Sequence, residues 1–125
     1  MAAARHPSDA DRERAAAPVI ERYRVAVTSG DDDALLAVLA AGCVWLAESG
    51  RLDGPDAVVA HHLARRSAWP SDARLEWTRA QPHGAHAALA WRVGANDAEV
   101  ERGLVVLEVR RDAVVFGAEH AVPLA

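Results

Sequence analysis

The chain of 125 residues has a single cysteine, so it can form no internal disulfide, and nothing in its cysteine usage points to an exported, cross-linked framework. No apolar run approaches the roughly 20 residues that a membrane-spanning helix needs. No signal-peptide apolar region stands near Met1. A cytoplasmic protein without membrane contact is expected. An excess of positive charge is also missing: 14 Lys+Arg against 18 Asp+Glu give a net charge of −4, with the signs mixed along the chain. That balance argues against a nucleic-acid surface. Arg65, Arg66, Arg74 and Arg79 form either a local basic patch or a solvated face. A glycine-rich phosphate loop and a Gly-x-Ser-x-Gly elbow are both absent.

What is present is globular in kind. The composition is 51% hydrophobic and 26% charged, and the length suits one domain with one core. Residues 1–16 are alanine-rich with balanced charges, and are expected to be a mobile tail or a frayed helical extension. Residues 17–125 are expected to form one domain.

Val19, Ile20, Tyr23, Ala26 and Val27 make an apolar stripe at helical period, and Gly30 can end that helix in the left-handed conformation. One of Asp31, Asp32 and Asp33 can cap a second helix carrying Leu35, Leu36 and Leu39, which Gly42 is expected to end. Cys43-Val44-Trp45-Leu46 reads as a strand. Asp53 is the expected cap of a third helix that begins near Pro55. Val58, Val59, His62, Leu63 and Arg66 lie along one side of it, and His61 is rotated about 100° from His62. Adjacent histidines on a regular helix cannot chelate one metal together, so no metal is expected.

Four strand candidates follow: Leu75–Thr78, Ala87–Val93, Gly103–Arg110 and Ala113–His120, with turns at Gln81–Gly84, Gly94–Asp97 and Arg111–Asp112. Helices first and a strand meander after them predict an α+β domain, its helices covering one face of a curved antiparallel sheet. Leu104-Val105-Val106-Leu107 is apolar on both faces, where a half-solvated strand would alternate. A homodimer through the outer sheet face is expected, the alternative being an exposed apolar patch on a monomer.

The series Val19-Ile20-Glu21-Arg22-Tyr23, Gly30-Asp31-Asp32-Asp33, Val44-Trp45 and Asp53-Gly54-Pro55-Asp56-Ala57 resembles the nuclear-transport-factor-2-like superfamily. Within it, the pattern is most similar to ketosteroid isomerases and SnoaL-like polyketide cyclases. The resemblance implies a cone formed by a curved antiparallel (mixed) β-sheet and three N-terminal helices, enclosing an apolar pocket for a hydrophobic small molecule. It implies no cofactor. Tyr23 matches the tyrosine that donates to an oxyanion in the isomerases, the alternative being a core tyrosine. His62 matches the position of a second tyrosine there, which implies a Tyr23–His62 dyad, or else an inward histidine without chemistry. The isomerase's two aspartates fall at Ala47 and near Val105, so both carboxylates are missing. Glu48 is displaced by one residue and would need a bulge to replace the first. Glu119 is placed by strand alternation on the inner face, as in SnoaL-like cyclases with a late-strand acid, or else it is a surface glutamate. His120 points the other way.

Trp45, Ala47, Trp91, Val93 and Val105 are the expected pocket lining, the aromatics serving equally well as core; Trp77 belongs to the core or the dimer face. Cys43 reads as an inert buried thiol. An epoxide hydrolase of this fold would need an Asp-Arg-Asp constellation, which cannot be assembled here. A cofactor-free enzyme acting on a hydrophobic carbonyl compound by isomerisation, cyclisation or dehydration, and a non-catalytic binding, accessory or regulatory domain, both remain open.

Overall fold

A computed structural model describes residues 8–124. Ser8 starts the first helix, α1 (Asp9–Ser29). Its hydroxyl accepts from Asp11 N, and the Asp11 carboxylate accepts from Ser8 N, so two orphan donors are satisfied reciprocally. Residues 9–16 are therefore two helical turns, the helical extension of the two alternatives rather than the tail, and Ala16 is buried; the rest of that expectation lies outside the described residues. Pro18 sits inside α1, where it lacks the N–H for one intrahelical bond. Ala16, Val19, Ile20, Tyr23 and Ala26 form the buried stripe, and Gly30 closes the helix at φ +68°.

Asp31 caps α2 (Asp32–Val38) by accepting from Ala34 N at 3.0 Å. α2 ends at Val38, not at Gly42, because Leu39 already turns extended to open β1 (Leu39–Ala47). β2 (Gly50–Asp53) doubles back on β1 and was not anticipated. α3 (Pro55–Ser67) has Gly54 at its N-cap with no side-chain cap; Asp53 instead pairs with Arg51.

The four later strands are β3 (Arg74–His83), β4 (His86–Ala95), β5 (Ala98–Arg110) and β6 (Ala113–Pro123). β3 runs through the expected Gln81–Gly84 turn, and Pro82 is tolerated because β3 is an edge strand. Asn96 and Asp97, at φ 54° and 61°, make the tight β4–β5 turn. The six strands form one sheet in the order β2-β1-β6-β5-β4-β3, in which β1 and β6 are parallel and every other pair is antiparallel. The three helices and this curved, unclosed sheet make an α+β fold with its core between the two layers.

Alternation decides which side chains face the helices. Leu89, Trp91 and Val93 of β4, Val105 and Leu107 of β5, and Cys43 and Trp45 of β1 are buried inward. Leu104 and Val106 point outward and are exposed, as are Leu46 and Val122. No described helix is long and apolar enough to cross a membrane.

Candidate functional site

Tyr23 and His62 meet in the core. The Tyr23 hydroxyl lies 3.0 Å from His62 Nε2, and His62 Nδ1 lies 2.9 Å from the Val58 carbonyl. A carbonyl only accepts, so Nδ1 carries the ring proton and Nε2 accepts from the phenol. Burial lowers the His62 pKa from 6.5 to about 4, against the pull of the Val58 carbonyl and the Glu119 charge, so the ring is neutral near pH 7. Burial also pushes the Tyr23 phenol well above its ordinary value. The dyad exists, but its polarity is fixed: the single phenolic proton of Tyr23 is committed to His62.

His62 makes native stability depend on pH. Its folded pKa is depressed, so its contribution is full above pH 6.5 and is lost as pH falls towards about 4. His62→Gln is expected to flatten that part of a plot of urea midpoint against pH. An unchanged slope would show that the ring is not buried neutral.

Glu119 is inward-facing and its side chain is 3% exposed, which overturns the surface-glutamate alternative. The Trp45 indole donates to its Oε1 at 2.9 Å, His61 Nε2 donates to the same oxygen, and Arg65 Nη2 donates to Oε2. Burial raises the carboxyl pKa, but the His61 hydrogen bond, the Arg65 charge and the Trp45 N–H outweigh it and bring it down to about 2. Glu119 is thus an ionised, fully partnered carboxylate. It touches neither Tyr23 nor His62. The Trp45 ring links them, 5.9 Å from the Tyr23 ring and 5.1 Å from that of His62.

His61 and Arg65 were not anticipated in this cluster. The inward edge of α3 runs through Val58, His62 and Arg65, whereas Leu63 is exposed and Arg66 reaches sideways to Asp32. Arg65 is therefore neither in a basic patch nor on a solvated face. His61 and Arg65 are four residues apart, the spacing of one helix side, and beyond the helix end Trp69 Nε1 donates at 2.5 Å to the buried Glu101. That spacing was the available signal.

The expected lining residues fill the hollow instead of walling it. Trp45 and Trp91 are 0% and 3% exposed, and Val93 and Val105 are equally buried; only Ala47 is partly open. The two indoles lie flat on the sheet because Gly117 and Gly103 beneath them have no Cβ. Among the described residues, a cavity of about 20 Å³ beside His62, Arg65 and Trp69 has room for about one water. Trp77 packs beneath α1 with its indole N–H 2.8 Å from the Thr28 hydroxyl, so it serves the core. Glu48 points outward to His120, 2.5 Å away, and does not replace the missing base at Ala47. Cys43 is buried, and burial raises its thiol pKa.

Residues 20–116 match the SnoaL-like domain family. The chain belongs to that family. Solved structures share the fold. One, from Kribbella flavida and provisionally named a ketosteroid isomerase, is 21% identical over 92% of this chain and 82% of its own, with a TM-score of 0.72. An NTF2-like protein of unknown function from Mesorhizobium loti is 24% identical over 94% and 97% of the two chains, also at 0.72. A third, from Sinorhizobium meliloti and provisionally named a polyketide cyclase, is 18% identical over 82% and 94%, at 0.69. No curated protein matches this SnoaL-like chain.

Proposed function

We propose that this SnoaL-like chain is a small-molecule-binding domain that holds an apolar ligand without acid/base turnover. The observation that carries this reading is the direction of the Tyr23–His62 hydrogen bond. A phenol that donates its proton to a neutral imidazole has none left for a developing oxyanion. Glu119 does not compensate, because an anion saturated by Trp45, His61 and Arg65 is a poor base near pH 7. No cofactor is needed to hold an apolar molecule.

A second reading is a cofactor-free isomerase, cyclase or dehydratase, with Tyr23, His62 and Glu119 as catalytic groups. It is favoured by the meeting of the phenol and imidazole in the core and by the provisional names of the Kribbella and Sinorhizobium structures. It requires His62 to release Val58 and turn its Nδ1–H elsewhere. A β,γ-unsaturated cyclic ketone separates the two readings. Binding is expected to change tryptophan fluorescence while the rate of conjugation, followed by near-ultraviolet absorbance, stays at the uncatalysed value. Conversion above that rate, lost in Tyr23→Phe, would establish the enzyme instead.

The partner proposed for the outer sheet face is a second copy of the chain. Leu46, Leu104, Val106 and Val122 are 41%, 46%, 36% and 39% exposed there, an apolar strip that water solvates poorly. Light scattering is expected to give twice the chain mass at micromolar concentration, and a clean monomer would remove the dimer.

A further inference from the structure

We propose that the cleft between α1, α2, α3 and β3 takes a small apolar carboxylate, seated on Arg65. This rests on the binding reading above and names the ligand class. Val27, Leu35, Leu75 and Trp69 supply the apolar lining, Arg65 and Arg66 enter from α3, and no acidic residue lines the space. Arg65 is anchored, yet among the described residues it engages protein partners through Nη2 alone, leaving Nη1 and Nε without an acceptor. Its guanidinium lies over the Trp91 ring, 5.2 Å from the centroid, and Trp91 Nε1 is itself buried without an acceptor. Of the two, only Arg65 lines the cleft, and among the described residues its Nη1 and Nε are donors that no protein carboxylate satisfies.

Glu119 already balances the Arg65 charge on the sheet side, so an incoming carboxylate is drawn by the remaining N–H groups of a fixed guanidinium whose side chain is 15% exposed, and by the neighbouring Arg66, rather than by an unpaired charge. Arg66 adds a second cation nearby. Its guanidinium packs on Gly30 at the C-terminal end of α1, and its bonds to Asp32 are long, at 3.3 and 3.4 Å. His62 contributes no charge and its Nε2 is filled by Tyr23, so it does not select the ligand's head group. The closed space of about 20 Å³ must widen. Trp69 and Arg66 stand at the end of α3, and Trp69 lies beyond the helix cap and just before Pro70, so a swing of its side chain unwinds no helix but gives up the indole bond to Glu101 of β5.

Octanoate and phenylacetate, with octanamide and phenylacetamide as neutral counterparts of nearly the same shape, are the probes. Calorimetry on the full chain is expected to show the carboxylates binding at least about tenfold more tightly than the amides. That preference should shrink as salt is raised, and should be lost in Arg65→Met and weakened in Arg66→Gln. Because Arg65→Met strands Glu119 and can disturb folding, the wild-type comparison and Arg66→Gln decide the question. Equal affinity for acid and amide would overturn the ligand class and leave the binding function standing. Binding of the cyclic ketone without either carboxylate would do the same. If neither acids, amides nor ketone bind, both proposals fall.

Discussion

Gly117→Ala is expected to lower the unfolding free energy by about 3 kcal/mol, the upper part of the range for overpacking a core. A methyl group at Gly117 would stand inside the indole of Trp45, which lies flat on β6 with its ring carbons against the glycine backbone. The ring has nowhere to go. Tyr23 and His62 press on it from α1 and α3, and its N–H is tied to Glu119. Glycine normally weakens a strand; here a fully buried aromatic ring takes the place of the missing side chain, so the strand's cost becomes core packing. Gly42→Ala in β1 is the control, since a Cβ there meets nothing within 4 Å; its effect should stay within about 0.5 kcal/mol. Urea unfolding of both variants measures the difference, and a loss from Gly117→Ala no larger than that of Gly42→Ala would show that Trp45 does not rest on the sheet. Against a typical total of about 5–15 kcal/mol, the expected loss is a substantial share of the protein's stability.

That packing was not legible in the sequence, for a physical reason. Which glycine faces which tryptophan is a property of cross-strand register, Trp45 opposite Gly117 and Trp91 opposite Gly103, and register is set by the whole sheet. Local patterns were readable. The stripe from Val19 to Ala26, the Asp31 cap and five of the six strands follow from periodicity and turn chemistry. The start of α1 was hidden because residues 9–16 are alanine-rich and carry no large apolar residue to mark a buried stripe, so only the Ser8–Asp11 capping box announces the helix there. The inward side of α3 was misjudged for a related reason. Apolar spacing identifies Val58 and His62, but His61 and Arg65 turn inward only because Glu119 waits on a strand more than fifty residues later. The Tyr23–His62 contact was legible from the family resemblance. The direction of its hydrogen bond was not, since the Val58 carbonyl decides it.

Glu119 supports the second large expectation. Glu119→Ala removes the acceptor of Trp45, His61 and Arg65 together, and leaves a guanidinium with a side chain 15% exposed and no counter-charge. Breaking one side of a buried pair costs about 4 kcal/mol, much of it the penalty of the charge left behind. Arg65→Met alone leaves the carboxylate with His61 and Trp45 as donors and is expected to cost less. Removing both charges, in Glu119→Ala with Arg65→Met, should cost less than the sum of the single changes, with a coupling of about 2 kcal/mol. Glu119 also has its own pH signature. Its folded pKa lies at about 2, below the ordinary 4.5, so its contribution is full above 4.5 and is lost as pH falls towards 2. The His62 window begins higher, between 6.5 and about 4, so the wild type should lose stability in two overlapping stages during acidification. Glu119→Gln should abolish the lower stage and leave the upper one, while His62→Gln does the reverse. Additive single changes, together with an unaltered lower stage in Glu119→Gln, would mean that the carboxylate is solvated, and the seal that α3 makes over the sheet through His61 and Arg65 would have no electrostatic basis.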